Sequence, residues 1–241
     1  KTANFGGIKF KQAGEYQFKI TEVGADQNVP AGWTYDTHES FATVSVIDTD
    51  FDGYLEASVS YDNKKATTDA DKGVNNAAAF TNSYKADPAT LTGDEANFNG
   101  TKLVEGRGWL EGETFGFTMT PSDEGTTGDW DNVSYKANDE AEAVAVGENS
   151  ATATANGNES VAFWFPGSYT FNAAGTYVFN VTETSHNGEE LPTDGTNGMT
   201  YDRHTGVITV TVEDNGQGQL VATAAAGTIA EDAQDGSATE N

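Results

Sequence analysis

Cysteine is absent from this 241-residue sequence, so no disulfide can staple its fold. A chain exposed outside the cell then needs some other stabiliser. Basic residues are scarce: 12 Lys and Arg stand against 38 Asp and Glu, for a formal net charge of −26. Such a field repels phosphate backbones and anionic bilayer surfaces, which argues against nucleic-acid and membrane partners. No apolar run approaches the ~20 residues that a spanning helix needs. The opening "KTANFGG" shows no signal-peptide pattern and reads as a piece of a longer chain. A sustained 3.6-residue apolar stripe is missing too, so long amphipathic helices are not expected.

What is plentiful is the vocabulary of strands and turns: 27 glycines, with many Thr, Asn, Asp and Val. "EYQFKITEV", "ESFATVSVI", "YLEASVSYD", "TFGFTMTP", "VAFWFPGSYTF", "TYVFNVTET" and "VITVTVED" all alternate with period two. Residues 141–155, alanine-rich but broken by Gly, Asn, Ser and Thr, read as a loop or a short helical turn. The pattern also repeats. "AGEYQFKITEV" (13–23) returns as "AGTYVFNVTET" (174–184), and "WTYDTHES" (33–40) returns as "MTYDRHTG" (199–206). The fold expected is all-β, two Ig-like or pilin-type β-sandwiches in tandem. Residues 1–87 read as the C-terminal part of a first sandwich, with Pro88 marking the boundary. Residues 88–241 read as a second sandwich lacking its last strand. On the repeat, copy one lacks about seventy upstream residues.

Three residue types then stand out by their faces. In "AAAFTNSYKAD" (77–87), Asn82 shares a strand face with Phe80 and Tyr84, a face expected to be buried. Glu22 shares a face with Tyr16, Phe18 and Ile20, and Glu183 with Tyr177, Phe179 and Val181. Lysine is rare, yet Lys102 opens what reads as the first strand of copy two. Burial among aromatics disfavours the charged forms of both amine and acid. A neutral lysine amine can attack an asparagine carbonyl and release ammonia, with a carboxylic acid moving the protons. Asn82 is therefore read as a reactant.

"TKLVEGRGWLEGETFGF", the paired "AGEYQFKITEV" and "AGTYVFNVTET", "TYDTH" with "TYDRH", and "FTNSYKA" together resemble the streptococcal pilin isopeptide-linkage domain of Gram-positive surface proteins. The resemblance implies a bond between a lysine of the first strand and an asparagine of the last, assisted by the glutamate. It assigns Lys102 and Asn82 as bond-forming residues, with partners outside this chain, and Glu22 and Glu183 as catalytic acids. It implies a stalk or pilus-shaft segment on a Gram-positive cell wall, with neighbouring repeats or subunits as partners. It implies no cofactor and no turnover enzyme, since each domain reacts once with itself. The alternative is an adhesive module that recognises a host glycan or matrix protein through the polar segment 122–160, with Trp130 as its test residue.

Other motifs read blandly. "DTDFDGYLE" (48–56) spaces Asp48, Asp50 and Asp52 like a calcium loop, but the twelfth position is Val59 rather than a glutamate. A hairpin turn is expected there. His38 and His204 follow "TYD" as strand-entrance caps, and His186 carries no signal. In "WFPGSYTF", Phe163 and Phe165 are placed inward and Trp164 outward.

Overall fold

The computed structural model describes residues 4–25, 27–63, 78–192 and 198–227. They form two compact units that divide after Lys85, and each is described by itself. Among the described residues the regular secondary structure is strand, apart from a single 3-10 turn at Trp130–Asn132.

Unit 1 contains β1 (Gly14–Ile20), β2 (Trp33–Thr34), β3 (Ser40–Ile47), β4 (Glu56–Asn63) and β5 (Ser83–Tyr84). β1, β3 and β4 make one antiparallel sheet in that order, and β2 pairs with β5. β3 alternates as its sequence demands: Ala42, Val44 and Val46 are buried, and the residues between them are half-covered. β1 is more open. Tyr16 and Phe18 share a face and cluster with Phe10, but Phe18 remains 37% exposed.

Unit 2 contains β6 (Ala89–Thr92), β7 (Asn99–Leu103), β8 (Thr114–Ser122), β9 (Val133–Lys136), β10 (Val144–Ala145), β11 (Asn149–Thr154), β12 (Ser160–Trp164), β13 (Ser168–Phe171), β14 (Gly175–His186), β15 (Glu189–Glu190), β16 (Gly206–Asp214) and β17 (Leu220–Gly227). One sheet runs β11-β8-β14-β16-β17, with β15 on the end of β14. Facing elements are the sheet β10-β9-β13-β6 and the pair β12-β7. Phe98, Phe115, Met119, Phe165, Tyr169, Phe171, Tyr177 and Phe179 are almost wholly buried and form one aromatic core. Such rings bury large areas, which lets a sequence lean in aliphatics close a sandwich.

Three expectations need correction here. Residues 149–154 are a strand, β11, paired with β8 from Asn149↔Met119 to Thr154↔Thr114. Ala151 and Ala153 point inward because only small side chains fit beside the rings of β8. "VAFWFPGSYTF" is two strands in different sheets, because Pro166 removes a donor and Gly167 adopts φ +98° between them. Phe163 and Phe165 are indeed buried, and Trp164 is 43% exposed. Lys102 lies in the second strand of unit 2, not the first, because β6 precedes it.

The first residues of unit 2 are stitched to a distant hairpin. Asp87 N–H donates to the Gly218 carbonyl at 2.8 Å and Leu220 N–H to the Asp87 carbonyl at 2.9 Å. Gln219 Nε2 donates to the Pro88 carbonyl at 2.8 Å.

Candidate functional site

In unit 2, β7 and β14 carry Lys102 and Glu183 to one place. Lys102 Nζ donates to Glu183 Oε2 at 2.5 Å, with side chains 13% and 5% exposed. The ammonium also sits 4.5 Å from the centre of the Phe115 ring, a cation–π position. Parity along β14 explains the inward acid: Tyr177 and Phe179 on the same face are fully buried. Glu183 Oε1 is buried and accepts no hydrogen bond. A buried acceptor left unpaired costs about 1–3 kcal/mol, so this atom is aimed at something. The pair lines a groove of about 820 Å³ that also touches Phe117, Phe163, Asp202 and His204.

In unit 1 the counterpart acid has the other half of the chemistry. Asn82 Nδ2 donates to Glu22 Oε1 at 2.7 Å. The backbone N–H of Asp36 donates to Asn82 Oδ1 at 2.8 Å. Both ends of the carboxamide are therefore held, and its orientation is fixed. Glu22 lies two residues past the end of β1, whereas Glu183 lies within β14, just before a bulge at Glu183/Ser185. The burial expected for Asn82 is not found. Asn82 is exposed, Glu22 is half-buried, and β5 is only two residues long. Among the described residues of unit 1 the strands are β1-β3-β4 and β2-β5, with no further pair such as β12-β7 of unit 2.

Glu113 is a functional candidate that sequence reasoning passed over. It is 2% exposed and receives Arg107 Nη1 at 2.9 Å, Arg107 Nη2 at 2.5 Å and Leu110 N–H at 2.9 Å. His186 Nε2–H donates to its Oε1 at 2.7 Å, while His186 Nδ1 meets the Tyr201 hydroxyl at 2.8 Å. The Arg107 hydrogen bonds, set against burial, hold the Glu113 carboxyl down to about 2 from an ordinary 4.5. The His186 ring in turn stacks on Phe115 at 4.5 Å and 14°, the same ring that carries Lys102. The missed signal was parity: Glu113 shares its face with Phe115, Phe117 and Met119.

Asp36 and Asp202 do more than cap. Each accepts the backbone N–H of its histidine and pairs with that ring through Nδ1. Burial raises the Asp202 carboxyl, but the two contacts from His204 and the Lys102 charge outweigh it, and the net shift is downward. Asp48, Asp50 and Asp52 place carboxylate oxygens within 4.8 Å of one another. Each of these carboxylates accepts a loop amide, from Gly53, Asp52 and Tyr54. Trp130 is no platform: its ring packs on Tyr177 and Phe179. Trp109 is likewise packed against the core and donates to the Glu159 carbonyl.

Among the described residues no helix is long and apolar enough to cross a membrane. No curated protein matches the chain. A family model does, over residues 1–85 and again over 98–238, and these matched stretches contain both acids, Lys102 and Asn82. The chain belongs to the FctA family, the Spy0128-like isopeptide containing domain, and so to the pilin-type structural surface proteins.

Proposed function

We propose that this chain is a stalk or shaft segment of a wall-anchored surface fibre, and that in the fibre each of its two sandwiches is locked by one Lys–Asn amide bond, with the partners of Lys102 and of Asn82 supplied from outside this chain. The reading rests on one observation. The two units hold complementary halves of a single reaction centre: acid with amide at Glu22–Asn82, and amine with acid at Lys102–Glu183.

The chemistry follows from those contacts. A proton passes from the Lys102 ammonium to Glu183 across their 2.5 Å bond, which leaves a neutral amine and a neutral acid. The amine nitrogen attacks the side-chain carbonyl carbon of an asparagine in a terminal strand. The C–N bond to the old amide nitrogen breaks, the acid gives its proton to that nitrogen and takes one from the attacking nitrogen, and ammonia leaves. Atoms balance as amine plus primary amide giving secondary amide plus ammonia. Glu183 Oε1 is the acceptor that would take the carboxamide N–H, as Glu22 Oε1 takes that of Asn82. The bond replaces the disulfide that the composition forbids. Closing a loop of about a hundred residues lowers unfolded-state entropy by roughly 4–5 kcal/mol, and an amide withstands reduction.

A stalk fits better than an adhesive module, because Trp130 and Trp109, which would serve as an aromatic platform, are engaged in the core. Partners are then neighbouring repeats or subunits of the fibre.

The test is addition of a synthetic peptide of residues 78–87, "AAFTNSYKAD", to the full chain. A species of chain plus peptide less one ammonia is expected. It disappears in Lys102→Ala, in Glu183→Ala and with Asn82→Ala in the peptide. An adduct that persists in Lys102→Ala, or none at all with docked peptide, refutes the reading.

A further inference from the structure

The repeated Asp-x-His motif has no part in the transfer just described, yet in unit 1 it contacts three successive residues of the segment bearing Asn82, Phe80, Thr81 and Asn82 itself. Asp36 is 2% exposed. Its Oδ1 accepts His38 N–H at 3.1 Å and His38 Nδ1–H at 2.6 Å. Its Oδ2 accepts the backbone N–H of Thr81 at 2.9 Å, and its own N–H donates to Asn82 Oδ1 at 2.8 Å. The His38 ring stacks on Phe80 at 4.6 Å. Just upstream, Trp33 pairs with Tyr84 in the β2–β5 ladder, and Lys85 N–H donates to the Gly32 carbonyl at 2.8 Å. Residues 32–38 thus touch Phe80, Thr81, Asn82, Tyr84 and Lys85 in turn.

Unit 2 carries the same segment, Thr200 to His204, with the same internal Asp–His pairing. Its outer face is open. The Asp202 side chain is 56% exposed against 2% for Asp36, and that of His204 is 36% against 11% for His38. Among the described residues Asp202 Oδ2 accepts no hydrogen bond and Asp202 N–H donates none. These are the two atoms that in unit 1 meet Thr81 and Asn82. Both residues border the groove that holds Lys102 and Glu183.

We propose that the Asp-x-His pair is a docking clamp for a Phe-x-Asn-x-Tyr strand, open at Asp202–His204 in unit 2, and that the backbone N–H of the same aspartate is the oxyanion donor for cross-linking. The carboxylate grips one strand amide by a charge-assisted bond, which fixes register. The imidazole offers a flat face to the first aromatic. With register fixed, the asparagine carbonyl oxygen falls on the Asp N–H, where negative charge develops when an amine attacks. Asp202 and His204 are positioning residues. The oxyanion part rests on the cross-linking reading; the clamp does not.

Docking and reaction are therefore measured separately on the full chain, with the labelled 78–87 peptide as probe. In a Lys102→Ala background, where no bond can form, Asp202→Ala should weaken binding about 10- to 100-fold, the range for one lost charge-assisted hydrogen bond. N-methylation of the Thr81 amide in the peptide should cost a similar factor in the parent chain and nothing further in Asp202→Ala. His204→Ala should weaken a peptide carrying Phe80 more than one carrying Phe80→Ala. With Lys102 restored, Asp202→Ala should raise the peptide concentration for half-maximal coupling and leave the saturated rate within about threefold, because the backbone donor remains. Additive losses from Asp202→Ala and N-methylation, or no docking to the parent chain, overturn the clamp. A fall in the saturated rate equal to the fall in affinity overturns the division between grip and oxyanion donor. Docking without any coupling overturns the cross-link and leaves the clamp standing.

Discussion

Replacing Glu113 by Gln tests how unit 2 is held together around its reaction centre. The carboxyl is almost wholly buried and is held down to about 2, chiefly by hydrogen bonds from Arg107, against burial that pushes it up. The displacement from 4.5 corresponds to roughly 3 kcal/mol of folding free energy. The sign is that of a depressed acid. The contribution is complete above pH 4.5 and drains away as the pH falls towards 2, where the folded state must also take up the proton. A glutamine keeps one acceptor but turns an amide N–H₂ towards a guanidinium. Breaking a buried pair costs about 3–5 kcal/mol, and Arg107, 35% exposed on its side chain, can turn to water, which places the loss at the lower end. Hydrogen exchange in β8 and β14 reads unit 2 alone. Protection in Glu113→Gln should fall by about 3 kcal/mol at pH 7, and the gap to the parent should close between pH 4.5 and 2. A gap that stays constant to pH 2, or one below about 1 kcal/mol at neutral pH, would refute the assignment of this network as a charged anchor.

Further outcomes are expected of the same chain. Its intact mass should equal the sequence mass, because Lys102 meets Glu183 and Asn82 meets Glu22 in separate units; loss of one ammonia, with a Lys102 peptide joined to another, would show the partners misplaced. Gly93→Ala should destabilise unit 2 by about 1–3 kcal/mol in urea unfolding, since a Cβ there would lie 2.0 Å from the Phe165 carbonyl oxygen, a rigid backbone atom. Calcium should leave the unfolding midpoint unchanged, because the Asp48, Asp50 and Asp52 carboxylates already cap their own hairpin; a rise abolished by changing Asp50 and Asp52 would contradict this.

Strands with strong hydropathic contrast were legible before any coordinates. β8 and β16 alternate Phe, Met, Val or Ile with small or polar residues, and their burial alternates in step. β11 was not legible, because Ala against Ser and Thr offers almost no contrast until the large rings opposite are known. Glu22, past the end of β1, is only half-buried, whereas the inward side chain of Glu183 was legible by parity, and Glu113 was open to the same reading. His186 was not, since its carboxylate lies 73 residues away in the chain. The grip of Asp36 on Thr81 spans 45 residues and needs the fold to become visible. The exposure of Asn82 could not be read from alternation, which names a face but not what covers it.

The stitch of Asp87 and Pro88 to the hairpin at Gly218–Leu220 has a mechanical side. Tension arriving from the preceding unit enters here, some way before Lys102. Once Lys102 is bonded to a terminal strand, the chain beyond it cannot pay out. Only the segment 86–102 is left as slack, and drawn straight it spans at most roughly 55 Å. The hydrogen bonds at Asp87 and Gln219 lie at the front of that slack, so they meet the pull before β6 can peel from β13. A sandwich arranged this way has a short, reversible give in series with a covalent stop. The segment can absorb a jolt and zip back, while the remainder of the unit keeps its length.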